Sequence, residues 1–204
     1  MEKSIAKILL EIKAVHLEPD NFFTWTSGIK SPIYCDNRQI ISYPKMRAKV
    51  IESFVSVIKA EYPETQLIAG TATAGIPWAA WIAQELELPM IYIRSNSKGH
   101  GLKNSLEGKS SKGQKTLIIE DLISTGKSSI QAANDAKDNE LEVLSVLSIF
   151  NYGFKKAQRA FNDANIPFLS LSNLQSMLEL SLEEGLLSQE QIDIIKKWKK
   201  EIEN

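Results

Sequence analysis

Residues 116–129, Thr-Leu-Ile-Ile-Glu-Asp-Leu-Ile-Ser-Thr-Gly-Lys-Ser-Ser, run from an apolar stretch through two adjacent carboxylates into a small-residue turn that opens on a helical pattern. The apolar residues Leu117, Ile118 and Ile119 read as a buried strand, whose end delivers Glu120 and Asp121 to the carboxyl edge of a sheet. Open α/β folds place their ligands at that edge. Thr125, Gly126, Lys127 and Ser128 then offer backbone N–H groups and hydroxyls at a helix N-terminus, a natural anion site, with Gly126 free to adopt a positive φ. Two carboxylates beside such a cradle suit a phosphorylated sugar, because they accept hydrogen bonds from a ribose diol or sit near a hard divalent cation such as Mg²⁺. Taken alone, a Glu-Asp pair is more often a strand end followed by a helix cap; the strand-turn-helix setting is what turns it toward function. A nucleotide-binding P-loop is excluded, since it needs a glycine five residues before Gly126 and Asp121 stands there.

Outward from this stretch, short apolar runs alternate with helical patterns from residue 66 onward, which is the sign of parallel βαβ units. Strands are expected at 67–70, 90–94, 116–120, 142–149 and 168–171, with helices at 76–87, 128–138 and 154–164 covering both faces of the sheet. Residues 95–114 carry Gly99, Gly101, Gly108 and Gly113 among Lys, Ser and Asn without periodicity, so they read as a long structureless loop of the kind that serves as a lid. Upstream, Ile5, Ile8, Leu9, Ile12 and Val15 predict a helix over 4–16, and Val50, Ile51, Phe54, Val55 and Ile58 predict a second one after Pro44. Residues 22–43 between them read as short strands and turns. The segment 173–203 is helical again, with a capping box at Ser188 and Gln191 and an apolar face of Ile192, Ile195, Trp198 and Ile202 that packs on the body or on a partner subunit.

The 204 residues fit a single domain, 1–204, divided into a hood mainly over 20–43, a core over 64–172 and a C-terminal helical segment over 173–204. Lys and Arg total 24 against 25 Asp and Glu, and a net charge of -1 leaves no electrostatic footprint for nucleic acid or an anionic membrane. The longest apolar stretch, Gly75 to Ala83, is far too short to span a bilayer, and the N-terminus leads into an amphipathic pattern unlike a signal peptide. Cys35 is the only cysteine, which rules out an internal disulfide and makes a reducing cytoplasm the expected compartment.

A second cradle, Gly70-Thr71-Ala72-Thr73-Ala74-Gly75, follows the strand Leu67-Ile68-Ala69. Its small side chains let backbone N–H groups approach an anion, although by itself it also reads as a plain strand-to-helix turn. Two cradles after two strands suit a ligand with phosphates at both ends. The loop Arg94-Ser95-Asn96-Ser97-Lys98-Gly99-His100-Gly101 adds three potential cations on a glycine-hinged lid, fitted to closing over a group that gains negative charge.

The pattern of apolar strand, Glu-Asp, two apolar residues and Ser-Thr-Gly-x-Ser resembles the phosphoribosyl-diphosphate (PRPP) binding motif of the type I phosphoribosyltransferase family. The hood run Phe22-Phe23-Thr24-Trp25-Thr26-Ser27-Gly28-Ile29-Lys30-Ser31-Pro32-Ile33-Tyr34-Cys35-Asp36, the segment Ala69 to Pro77, the Arg-x-x-x-Lys-x-His-Gly lid and residues 120–128 together resemble its orotate branch over nearly the whole chain. The resemblance implies an α/β fold with a parallel central sheet flanked by helices, a small N-terminal hood and a C-terminal helix. It implies an enzyme, a transferase that moves the phosphoribosyl group of PRPP to orotate, giving orotidine 5'-monophosphate and diphosphate in pyrimidine biosynthesis. Mg²⁺ would be the cofactor, bound mainly through PRPP and water and not by protein ligands, and the chain would form a homodimer with a shared active site.

Roles follow from the same resemblance. Glu120 and Asp121 would hold the ribose hydroxyls, with Leu122 and Ile123 continuing the binding segment; Thr125, Gly126, Lys127 and Ser128 would hold the 5-phosphate. Thr71, Ala72 and Thr73 would take the diphosphate with Mg²⁺, while Arg94, Lys98 and His100 would be the catalytic cations that neutralise or protonate it as it leaves. Ser124 matches a position contacting orotate, and the segment Phe23 to Lys30 would enclose the base, with Lys30 supplying a cation. The chain departs from many members at Ser95, Asn96 and Thr26, where others carry Lys, at Lys127, where Gly is frequent, and at Asn151-Tyr152-Gly153, where some have an arginine. The PRPP motif reads only the common co-substrate, so a transferase for a purine or uracil and a PRPP-sensing regulator are the competing expectations.

Overall fold

Helix α1 (Glu2–Glu11) buries Ile5, Ile8 and Leu9 along one stripe, as their spacing requires. The periodicity that predicts a helix over 4–16 overruns its end: Lys13 takes a left-handed φ of 56°, and Val15 enters strand β1 (Val15–Leu17) instead of another helical turn. Spacing of apolar residues cannot register a reversal at a single polar residue. This structure, a computed structural model, describes residues 1–25, 28–94 and 105–203.

The hood is made of two short antiparallel ribbons. Strand β2 (Phe23–Thr24) pairs with β3 (Lys30–Ser31), and β1 pairs with β4 (Ile33–Cys35). A 3-10 helix (Asn37–Ser42) and α2 (Pro44–Glu61) follow, with Pro44 in the first turn, where its missing N–H costs nothing. Then come β5 (Leu67–Thr71), α3 (Gly75–Leu86), β6 (Met90–Ile93), β7 (Leu106–Glu107), β8 (Lys115–Ile123), α4 (Lys127–Asp138), β9 (Glu142–Asn151), α5 (Lys155–Asp163), β10 (Phe168–Asn173), α6 (Leu174–Glu183) and α7 (Gln189–Ile202).

The main sheet has the order β10-β9-β8-β5-β6-β7, parallel throughout except for β7. Alternation along the strands feeds two cores. Ile68, Leu117 and Ile119 face α1, α2, α3, α6 and α7, whereas Leu67, Ala69 and Ile118 face α4 and α5. All of these strand residues are fully buried, and the near-continuous apolar runs exist because both faces are covered.

Two expectations need correction. Residues 105–114 are not all structureless, since Leu106 and Glu107 form β7 against β6 and Leu106 is buried; two residues are too few to produce a readable period. The remainder of the expected lid, 95–104, lies outside the described residues. Strand β8 also runs three residues past the expected 116–120, because β9 continues to pair with it as far as Ile123↔Asn151. The C-terminal helices pack on the chain's own body: Gln191 completes the capping box of α7 while its Nε2 donates to Asp20 Oδ2 at 2.7 Å, and Trp198 Nε1 donates to Lys30 O at 2.8 Å.

Candidate active site

The chain reverses its direction across the sheet between β5 and β8, with β6 beyond one side of β5 and β9 and β10 beyond β8. A crevice opens outside the carboxyl ends of strands at such a switch point. Here β5 pairs with β8 as far as Gly70↔Ile119 and then departs, whereas β9 stays with β8 for four residues more, to Ile123. The opening therefore begins at Glu120.

A cleft of about 410 Å³ occupies this opening, lined by Thr71, Ala72, Glu120, Thr125, Lys127 and Ser128, with Ile93, Arg94 and the α4 residues Gln131, Ala132 and Asp135 at its margins. Thr73 is exposed just beyond it, and the Ala72–Thr73 peptide is cis. The turn before α3 is held tightly against β8. A Cβ on Gly75 would stand 2.2 Å from the Ile119 carbonyl oxygen, one on Gly70 would meet Ala79 and Ile76 at 2.9 Å, and Thr71 Oγ1 donates to Ile119 O at 3.2 Å. On the opposite wall Gly126 has φ 79°, and a side chain there would reach within 2.6 Å of the Phe161 ring. Gly126 is the N-cap of α4 and provides no side-chain cap, so the first amides of the helix are left for another acceptor. Both predicted anion cradles thus face one cleft.

The two carboxylates behave differently. Glu120 is only 7% exposed; its Oε1 accepts from the Asp121 N–H at 3.0 Å and its Oε2 from Ser129 Oγ at 3.3 Å. Burial, reinforced by the charge of Asp121, pushes the Glu120 carboxyl up to about 8. Burial also raises Asp121, but the Glu120 carboxyl and the backbone N–H groups of Asp121 and Leu122 favour its anion. The two carboxyls titrate as a pair, and burial favours the protonated form of Glu120 at neutral pH. Asp121 lies toward the hood, where Asn37, 1% exposed, donates its Nδ2 to the Asp121 carbonyl at 2.7 Å and Arg38 contributes positive charge while pairing with Asp36 at 2.6 Å.

A second cleft, about 500 Å³, lies on the hood side of the same segment and is lined by Thr24, Trp25, Tyr34, Cys35, Leu122, Ser124 and Tyr152. Trp25 and Tyr152 have ring centroids 5.5 Å apart, and Trp25 is fixed by donating Nε1 to Ile33 O at 2.9 Å. Aromatic walls with a few polar groups suit a flat heterocycle. Glu120 and Thr125 line the first cleft while Leu122 and Ser124 line the second, so a single segment divides and joins them. A wider basic depression of about 770 Å³ between α5 and α7 contains none of the motif residues.

Most of the predicted site residues come together here. Arg94 lines the first cleft and also pairs with Glu107 at 3.2 Å. Ile123 is 1% exposed in the core beneath α4 and α5, and Lys30 is exposed, away from the lining of both clefts, with its carbonyl anchored to Trp198. Lys98 and His100 lie outside the described residues. Two participants escaped the sequence reading, Asn37 and Ser129. Each is a buried polar residue that holds a carboxylate or its backbone, and neither belongs to a spacing that periodicity can detect.

Comparison with known proteins agrees with this geometry. Residues 37–163 match the model of the phosphoribosyl transferase domain family. The chain is 51% identical over 201 residues to an orotate phosphoribosyltransferase of Fusobacterium nucleatum subsp. nucleatum, covering 98% of this chain and 95% of that protein. Among solved structures it is similar to orotate phosphoribosyltransferase from Aeropyrum pernix, with 26% identity and a TM-score of 0.78 over 90% of this chain and 99% of the other. It is also similar to UMP synthase from Leishmania donovani, with 27% identity and a TM-score of 0.82 over 98% of this chain; it spans 42% of the length of that protein.

Proposed function

Because this chain belongs to the orotate phosphoribosyltransferase family, we propose that its two clefts are the halves of one active site, the first for PRPP and the second for the base. The enzyme transfers the phosphoribosyl group of PRPP to orotate, forming orotidine 5'-monophosphate and releasing diphosphate in pyrimidine biosynthesis. The observation that carries the assignment of the clefts is the segment from Glu120 to Thr125, which places the buried Glu120 and the partly buried Asp121 between an anion cradle and an aromatic cleft.

In this reading Thr125 to Ser128 and the first amides of α4 hold the 5-phosphate, and Thr71 to Thr73 hold the diphosphate across the cleft. The ribose lies between them over Glu120 and Asp121, and C1 points at the ridge from Leu122 to Ser124, beyond which the base rests against Trp25 and Tyr152. As the C1–O bond breaks, the ribose gains oxocarbenium character and the diphosphate gains negative charge, which Arg94, Lys98 and His100 neutralise while the orotate nitrogen attacks. Donors placed in advance at a developing charge are worth roughly 3–4 kcal/mol each. Exclusion of water by the 95–104 segment prevents hydrolysis of PRPP, the competing reaction.

Magnesium, when bound with PRPP, supplies charge neutralisation for the diphosphate. Its ligands would come mainly from PRPP and water, with Glu120 at the edge of the cleft that holds them. A homodimer that completes the site with its lid, and a cytoplasmic location, belong to the same reading. Among the described residues no helix is long and apolar enough to cross a membrane.

Incubating the protein with PRPP, Mg²⁺ and, in turn, orotate, uracil, adenine and hypoxanthine tests the function through diphosphate release. Release with orotate alone is expected. Turnover with a different base would reassign the second cleft, and no release with any base would contradict an enzymatic role.

A further inference from the structure

Orotate differs from uracil by a carboxylate, and a carboxylate drawn out of water needs a cation or several N–H donors beside it. The base cleft has neither lysine nor arginine among its described lining residues. On the other side of Ser124, which it shares with the base cleft, lies a third cleft of about 490 Å³ that includes Asn151, Gly153 and Lys199. Lys199 comes from the last turn of α7 and reaches back over the end of β9. Its Nζ stands 3.0 Å from the point where a Cβ on Gly153 would be, and Asn151 Oδ1 stands 3.7 Å from the same point. A Cβ there would crowd the ammonium by a few tenths of an ångström, and Gly153 has a φ of 65°, which also favours glycine.

Lys199 is half-buried and, among the described residues, makes neither a hydrogen bond nor an ion pair. Burial lowers its pKa first, and Lys155 lowers it further against the opposing pull of Glu203. An ammonium partly removed from water without a partner is disfavoured, and an arriving carboxylate relieves that cost. The neighbouring Trp198 donates to Lys30 O in the hood and packs edge-on against Trp25, with centroids 5.8 Å apart, so the register of α7 is tied to the aromatic wall of the base cleft.

We propose that Lys199 is the cation that pairs with the carboxylate of the pyrimidine and thereby separates orotate from uracil. The inference rests on the reading of the second cleft as the base site. It also gives the C-terminal helix a part in substrate choice.

Steady-state kinetics of the wild-type protein, Lys199→Met, Lys199→Arg and Gly153→Ala, with orotate and uracil as acceptors, test it. Wild-type turnover of orotate establishes the underlying reading; its absence overturns both. Given that turnover, Lys199→Met raises the KM for orotate roughly tenfold to a hundredfold, as expected for loss of a charged hydrogen bond, leaves the KM for PRPP unchanged, and narrows the preference for orotate over uracil. Lys199→Arg restores most of the loss, and Gly153→Ala, which displaces the ammonium without removing it, raises the KM for orotate in the same direction. An unchanged KM for orotate in a Lys199→Met protein that melts like the wild type overturns the proposal, as do equal rises for orotate and PRPP. If Lys199→Met is unfolded, Lys199→Gln takes its place under the same two criteria.

Discussion

Asp121→Asn lowers kcat/KM for PRPP by roughly 10²- to 10³-fold, the scale of losing one preorganised polar group at a reacting centre, with the fold unchanged by circular dichroism. Glu120→Gln, an isostere of the protonated acid, lowers kcat/KM less and carries an additional signature in stability. The folded protein holds the Glu120 proton to about pH 8, while an ordinary glutamate releases it near 4.5. Between these pH values the folded state binds more protons than the unfolded state, so this group makes stability fall as pH rises through that window and level off above it. Glutamine resembles the protonated acid and has no such loss. The variant should therefore match the wild type below about pH 4.5 and be more stable near pH 8 by something on the order of 1 kcal/mol or more, read as a higher melting temperature. A carboxylate kept in a position that costs stability is what a binding role predicts. Unchanged kinetics in Asp121→Asn would remove that carboxylate from the site, and a lower melting temperature for Glu120→Gln at pH 8 would contradict its protonation.

Lys98→Ala is expected to reduce kcat by roughly 10²- to 10³-fold while changing the dissociation constant for PRPP much less. The reason is the timing of the charge. The diphosphate gains its extra negative charge as the C1–O bond breaks, so a cation assigned to it contributes more in the transition state than in the bound ground state. Single-turnover rates set beside equilibrium binding of PRPP separate the two effects. Equal losses in both would make Lys98 an ordinary binding residue.

What could be read in the sequence was decided by the physics of each element. The parallel core was legible because strands buried on both faces become unbroken apolar runs, as at Leu117 to Ile119, and because their ends carry small or acidic residues with no purpose in a core. The glycines were legible as turns, and their second role was not. Gly75 and Gly70 are required by the approach of α3 to β5 and β8, contacts between segments far apart in the chain. Asn37 and Ser129 were missed for a similar reason: each is buried against a carboxylate segment that only the folded chain brings near. Lys30, expected to supply a cation, is exposed and accepts from Trp198 through its carbonyl, and the half-buried ammonium that shares a cleft with Ser124 belongs to Lys199, whose position in a polar helical run gave no sign of it. The hood was the least legible part, because strands of two or three residues have no period.

The central claim is that the segment from Glu120 to Ser128 grips a phosphorylated ribose. Titration calorimetry of the wild-type protein with PRPP in the presence of Mg²⁺ tests it most directly. Saturable heat that is largely lost in Asp121→Asn is the predicted result, and a wild-type protein that gives no saturable heat with PRPP at any temperature tried would contradict it.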